Sequence, residues 1–129
     1  MGMITTTGLM YNDLNAEQGS DFQTTLLIKN PNQTPVNVAS ITFTSQVKLS
    51  YYTANVAANL SIMKVDAPNG NISLTITAAN TANLEAGSYV YDVIMVDGFG
   101  NTSKILKGIF RLAPGVTNIV PPNEGIPAL

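Results

Sequence analysis

Hydrophobic and polar residues alternate one by one along much of this chain, and the alternation is cleanest between Leu84 and Pro114. Two β-rich runs, Tyr89–Val96 and Thr102–Leu112, flank the turn Asp97-Gly98-Phe99-Gly100-Asn101. Gly and Asn accept the positive φ that tight connections need, so the stretch predicts a hairpin. Successive side chains of a strand point to opposite faces. In the first run that puts Tyr89, Tyr91, Val93 and Met95 on one face and Asp92 on the other. In the second, Leu106, Gly108, Phe110 and Leu112 share a face, with Lys104, Lys107 and Arg111 opposite or at its margin. A hairpin alone is barely stable, so a second sheet has to cover its apolar side.

The upstream chain supplies that cover. Phe22, Thr24, Leu26 and Ile28 alternate with Gln23, Thr25, Leu27 and Lys29 as one strand. Ile41, Phe43, Ser45, Val47 and Leu49 mark a second, and Ile72, Leu74 and Ile76 a third; Leu60–Val65 reads as another. Between them, the prolines and asparagines of 30–35 and the pentapeptide Asp66-Ala67-Pro68-Asn69-Gly70 are turns by composition. Leu9–Leu14 fits a short first strand or an extended lead, and Asn15–Asp21 reads as a polar loop. Ser50–Asn59, with Tyr51-Tyr52 and a run of Ala, fits a loop or a crossing segment. Ala78–Glu85 is the one helical stretch, a turn or two stopped by Gly87.

About seven short strands with turns every 8–12 residues predict an all-β, immunoglobulin-like antiparallel sandwich. A short helical crossover ahead of a Tyr-bearing strand matches the corner of such sandwiches, where a Tyr hydroxyl ties back to upstream backbone. Tyr89 and Tyr91 are the candidates for that tie. We divide the chain into an N-terminal lead and first strand (1–16), a sandwich domain (9–114) and a Pro-rich C-terminal stretch (115–129). The last holds three prolines with spaced aliphatics, and Pro bars it from a helix or a central strand. It is either a disordered end or an extended arm that lays Ile119, Val120, Ile126 and Leu129 on a neighbour.

Composition narrows the function. A chain of 129 residues holds one core. Only 11% of residues are charged, against the usual quarter. Net charge is −2 and the six basic residues are scattered in sequence, which argues against nucleic acid and gives no electrostatic reason to bind an anionic membrane. No apolar run approaches the roughly 20 residues of a transmembrane helix, and the first residues lack the basic and apolar regions of a signal peptide. Cys and His are both absent, which removes thiolate chemistry, the commonest general base and the usual metal ligands. We therefore expect no enzyme, no cofactor and no metal.

Weaker motifs read as ordinary chemistry. Asp97 and Asn101, like Asp66, Asn69 and Asn71, set oxygens near Gly-bearing turns, but without the acidic density of a calcium loop. Four Asn-x-Ser/Thr sequons, at Asn32, Asn59, Asn71 and Asn101, read as accidents of an Asn/Thr-rich chain. Tyr51, Tyr52 and Phe99 offer aromatic surface for a partner or a host-surface sugar, although sheet packing is the plainer role for the two Tyr. Phe99, between glycines at a hairpin tip, is the hardest to bury and the best single contact candidate. Asp92, mid-strand beside two Tyr, is expected to bond a neighbouring strand or arm.

Several blocks together carry a resemblance. They are Gln18-Gly19-Ser20-Asp21-Phe22, Ser45-Gln46-Val47-Lys48 with Ser50-Tyr51-Tyr52, and Gly70-Asn71-Ile72-Ser73-Leu74-Thr75. Next come Ala82-Asn83-Leu84-Glu85-Ala86-Gly87-Ser88-Tyr89-Val90-Tyr91-Asp92-Val93 and Leu106-Lys107-Gly108-Ile109-Phe110-Arg111-Leu112-Ala113-Pro114-Gly115-Val116-Thr117. In these, residues 17–117 resemble small immunoglobulin-like virion proteins of tailed bacteriophages, above all marine cyanophages, and more distantly the N-terminal domains of phage upper-baseplate proteins. The Leu-x-x-Gly-x-Tyr-x-Tyr-Asp block is the most specific part. The chain departs from the pattern at Val-x-Glu-Gly of the last strand, where Leu106-Lys107-Gly108 has Lys107 for the acid, and the Pro-rich stretch lies outside the match. The resemblance implies a non-enzymatic virion subunit of tail, baseplate or fibre attachment, with copies of itself and other virion proteins as partners. A capsid decoration protein and a carbohydrate- or receptor-binding module are the alternatives.

Overall fold

A computed structural model describes residues 3–6 as backbone and residues 9–116 in full. Two sheets pack face to face as a sandwich. One has the order β1–β4–β8–β7, built from Met3–Thr6, Phe22–Ile28, Asn71–Ile76 and Ser61–Asp66. The other runs β10–β9–β5–β6, from Thr102–Ala113, Gly87–Val96, Thr42–Lys48 and Ala58–Asn59. Its free edge beyond β10 is taken by two short strands, β2 (Met10–Tyr11) and β3 (Leu14–Glu17). A helix α1 (Ala78–Ala82) carries the chain from the first sheet to the second. Two sheets in these strand orders, joined at such a corner, make an immunoglobulin-like fold.

The alternating faces fall where the pattern put them. Leu26, Ile28, Ile72, Leu74 and Ile76 of one sheet meet Val47, Tyr91, Val93, Leu106, Phe110 and Leu112 of the other, all buried. Phe22 and Phe110 bridge the layers edge to face, with ring centroids 5.9 Å apart. Burying a side chain the size of Leu or Phe contributes about 2–3 kcal/mol, so this row of inward residues dominates stability.

Several expectations need correction. The described chain holds ten strands where about seven were expected. The sandwich is also not purely antiparallel, since β1 pairs parallel with β4 and both β2 and β3 pair parallel with β10. The N-terminal lead visits both sheets and closes an edge of each, and its direction forces parallel pairing. Asn15–Asp21 is not all loop, because β3 runs through Glu17 with Leu14 and Ala16 buried. The stretch before β7 is a loop ending in the two-residue β6. α1 stops at Asn83 rather than at Gly87, which opens β9 instead. Leu49, read as inward, is 69% exposed because β5 has already ended.

Local chemistry fixes the connections. The Asp66–Gly70 turn is a 3-10 turn closed by Gly70 in the left-handed region, φ 70°. A Cβ there would sit 2.4 Å from the carbonyl oxygen of Ile28, so no other residue fits. At α1, the Thr77 hydroxyl accepts from the Asn80 amide as an N-cap. Thr81, fully buried, donates to the Ser20 carbonyl at 2.9 Å and accepts from the Gly19 amide at 3.0 Å. The loop before β4 and the crossover helix are thereby one unit.

Candidate interaction face

Strand register places the polar and aromatic candidates. On the outward side of the second sheet, Gln46, Asp92, Lys107 and Tyr11 form one row across β5, β9, β10 and β2. Lys48, Val90 and Ile109 form the next row, and Thr44, Ile94 and Lys104 the row on the other side. Outward Val90, Ile94 and Ile109 are half-buried aliphatics on a face that water should own.

The charged groups here are organised. Asp92 pairs with Lys104 at 3.1 Å across the β9–β10 ladder. Lys107 Nζ stands over the Tyr11 ring at 5.1 Å and the Tyr51 ring at 5.4 Å, so two aromatic faces share one ammonium. Tyr51 therefore leans back over the sheet from the loop after β5, and with Gln46, Lys48, Asp92, Ile94 and Lys104 it lines a hollow of about 280 Å³. Four of the six basic residues, Lys48, Lys104, Lys107 and Arg111, lie on this side. Among the described residues this side also carries three acids, Asp92 paired to Lys104, Asp13 paired to Arg111 and Glu17 on the outward side of β3, while Lys48 and Lys107 have no carboxylate partner.

The edge beneath this face is held by a close approach. Between β2 and β3 the chain steps over Gly108, where a Cβ would lie 2.3 Å from the Asn12 carbonyl oxygen. The Tyr91 hydroxyl donates to that same carbonyl. Asp13 accepts from the Ile109 amide at 3.1 Å and from Arg111 Nη1 at 3.0 Å. Those two contacts, the amide first, hold its carboxyl below the ordinary range. Burial, with the Asp13 charge nearby, pushes the Tyr91 phenol well up. At the sandwich corner the Tyr89 hydroxyl donates to the Glu85 carbonyl at 2.6 Å, the tie expected of an immunoglobulin-like corner. Burial and then the Glu85 charge raise its pKa.

Of the aromatics expected to contact a partner, Phe99 is not brought together with Tyr51 and Tyr52. Phe99, 92% exposed, tips the hairpin where β5 begins, since Thr42 is opposite Val96. Tyr51 and Tyr52, the latter 98% exposed, follow where β5 ends, with Lys48 opposite Val90. Asp97 builds the tip, accepting from the Asn101 and Phe99 amides at 2.9 Å each, which holds its carboxyl low. Ile119, Val120, Ile126 and Leu129 lie outside the described residues. Sequence reading did not single out Tyr11, Gln46 and Lys48, which lie on this face, and gave Lys104 and Lys107 only a side of the strand. The available signal was the outward parity of Val90, Ile94 and Ile109, which breaks the polar side of the alternation.

Among the described residues no cluster of three or more His, Cys, Asp or Glu is placed to hold a metal, and no helix is long and apolar enough to cross a membrane.

No protein-family model matches the sequence, nor does any curated protein. Among solved structures the chain is similar to the N-terminal domain of phage TP901-1 ORF48, with a TM-score of 0.53 and 12% identity, over 88% of this chain and 99% of that one. It also aligns with a chain of an ICOS complex with ICOS-L and a VNAR domain, TM-score 0.45 and 10% identity, over 82% of this chain and 55% of that one. An internalin-like protein of Listeria monocytogenes aligns at TM-score 0.40 and 18% identity, over 87% and 30%. At these identities the likeness is one of fold.

Proposed function

We propose that this chain is a non-enzymatic structural subunit of a tailed-bacteriophage virion, in the tail, baseplate or fibre attachment, assembling through sheet edges and a C-terminal arm. The observation that carries the reading is the fold likeness to a phage domain over 99% of that domain's length. The Leu84–Asp92 block, read independently from sequence, points the same way. β7 supplies an edge for pairing, lying at the border of its sheet with Met63 and Val65 exposed. A chain without His or Cys has few routes to catalysis, and Asp92 is occupied by Lys104. The partners in this reading are copies of the chain and other virion proteins.

A glycan-binding module has less support, because Phe99 and the Tyr51–Tyr52 pair stand at opposite ends of β5 and make no shared stacking surface. Immunogold electron microscopy on purified particles tests the reading. Label at the tail tip or baseplate is the expected result. Label over the head makes the chain a decoration protein, and bare particles sink the virion assignment.

A further inference from the structure

The β9–β10 hairpin carries an aromatic plug and a hollow on the same rigid ladder. The plug is Phe99, 92% exposed at the tip, where Asp97 accepts from the Phe99 and Asn101 amides at 2.9 Å each. The hollow is the space of about 280 Å³ beside Tyr51. It lies over the Gln46–Asp92 and Lys48–Val90 pairs, whereas the tip extends past Thr42–Val96. Asp92 and Val96 are about 13 Å apart at strand rise, and a paired ladder does not fold back on itself. Phe99 therefore cannot enter the hollow of its own chain.

Plug and hollow match in size and in charge. A cavity of about 150 Å³ already holds a benzene-sized ring, so this one takes an aromatic side chain. Its lining includes half-buried Ile94 and the Tyr51 ring, a surface for offset or edge-to-face contact. Lys107 stands over that ring at 5.4 Å and holds the wall in place beforehand. Lys48 lines the hollow without a carboxylate partner among the described residues, since Asp92 is bonded to Lys104 at 3.1 Å. The closing loop, 49–57, carries no charge. Asp13 is paired to Arg111. Glu17 lies opposite Ala113, roughly 20 Å from Lys48 at ordinary strand spacings and beyond the screening length of about 8 Å. The hollow is thus locally positive. At the tip, Asp97 is the one charged residue between Asp92 and Lys104. Lys64, from the neighbouring strand β7, donates instead to the Ala39 carbonyl at 3.1 Å.

We propose that the Phe99 tip of one copy enters the Tyr51 hollow of a second copy, with the ring against Tyr51 and Ile94 and Asp97 facing Lys48. The contact rests on the reading of the chain as a subunit that meets its own copies, and names the two surfaces that meet. Because those surfaces differ, the interface is heterologous, and copies add head to tail until a ring closes or a filament grows. An aromatic anchor seated in a pocket carries most of the energy of such a contact, and opposite charges orient it.

Sedimentation of the full-length chain up to millimolar concentration tests this. Wild type is expected to form species larger than a dimer. Phe99→Ala keeps the hollow and loses the plug, while Tyr51→Ala does the reverse; both positions are exposed, and circular dichroism checks each fold. Each variant alone should associate at least tenfold more weakly, and Lys48→Glu several-fold more weakly. An equimolar mixture of Phe99→Ala and Tyr51→Ala chains should stop at the dimer, since one intact plug and one intact hollow remain per pair. With the Phe99→Ala chain isotopically labelled in that mixture, amide shifts should move at Gln46, Lys48 and Ile94 and stay fixed at Asp97 and Asn101. A monomeric wild type, a wild type that stops at a dimer, variants that associate like wild type, or a mixture that stays monomeric each overturns the contact. Gold label on particles would keep the subunit reading even then. Bare particles would remove that reading and leave the association measured in solution untouched.

Discussion

The Tyr91 hydroxyl donates to the carbonyl of Asn12, 79 residues upstream, directly above the bare Cα of Gly108. One strand of the core hairpin thus bonds the N-terminal lead through the gap its partner strand leaves open. The edge of the second sheet depends on this contact, because β2 and β3 are too short to hold themselves.

Tyr91→Phe keeps the ring and removes the donor, leaving a carbonyl without its partner. We expect a loss of about 1–3 kcal/mol. Gly108→Ala instead drives a methyl into immobile backbone, and overpacking of that kind costs about 1–3 kcal/mol or more. Urea unfolding followed by circular dichroism measures both. A Gly108→Ala chain as stable as wild type would refute the close approach.

How far this was readable from sequence differs between the two halves of the contact. Tyr91 on the inward face followed from alternation alone, as did Gly108 in line with Leu106 and Phe110. Their upstream partner did not. Leu14 and Ala16 alternate over only four residues among Asn and Glu, and Ala is a poor strand former, so the local signal is a polar loop. What makes β3 a strand is a parallel partner nearly a hundred residues away, Leu112 opposite Ala16. The candidate face escaped for the same reason. Tyr11, Lys107 and Tyr51 come from three separate segments, and only strand register and the fold-back of the loop after β5 unite them. The register break between Lys104 and Leu106, which turns both Ile105 and Leu106 inward, has no counterpart in the residue pattern.

Acid should weaken the fold through Asp13 and Asp97. Both carboxyls titrate below the ordinary 3.8 in the folded state, through amide contacts first. A lowered folded pKa means stability that is present above pH 3.8 and lost as pH falls through the folded value. The urea midpoint should fall below about pH 4, and Asp13→Asn with Asp97→Asn should flatten that fall. An equally steep acid limb in the double variant would show that other carboxyls govern it.

The alkaline limb has the opposite sign. Burial raises the Tyr91 pKa above the ordinary 10.0, so the folded state holds its proton more tightly than the unfolded chain. That contribution is complete below pH 10 and is lost as pH rises toward the folded value. Tyr91→Phe should start less stable and decline less steeply above pH 10. Parallel declines would contradict the burial of that hydroxyl.

Phe99 separates binding from folding. At 92% exposure on a tip built by Asp97, its ring contributes little to the core, and Phe99→Ala should change stability by no more than about 0.5 kcal/mol. Incorporation into particles, scored by the same immunogold label, should drop if the tip is a contact. Normal incorporation of a stable Phe99→Ala chain would remove it from the contact surface.

Thr81 gives the sharpest test of how the two sheets are coupled. Its hydroxyl is fully buried, accepts from Gly19 and faces the carbonyls of Ser20 at 2.9 Å and Ala78 at 3.1 Å. Close by, Asp21 accepts from the Ala78 amide at 2.6 Å and Gln18 Nε2 donates to the Leu84 carbonyl at 2.8 Å. The loop that delivers β4 to one sheet is therefore bonded to the crossover that delivers β9 to the other. Thr81→Val preserves shape but takes the hydroxyl partner from the half-buried Gly19 amide and from the Ser20 carbonyl. Each unsatisfied group costs about 1–3 kcal/mol, and partial solvent access to the loop keeps the total near the lower end of that sum. Thr81→Ser retains the hydroxyl and loses one methyl, about 1 kcal/mol. Thermal unfolding should rank wild type above Ser above Val. If Val matched Ser, the hydrogen bonds at the corner would be dispensable, and packing of α1 alone would hold the crossover.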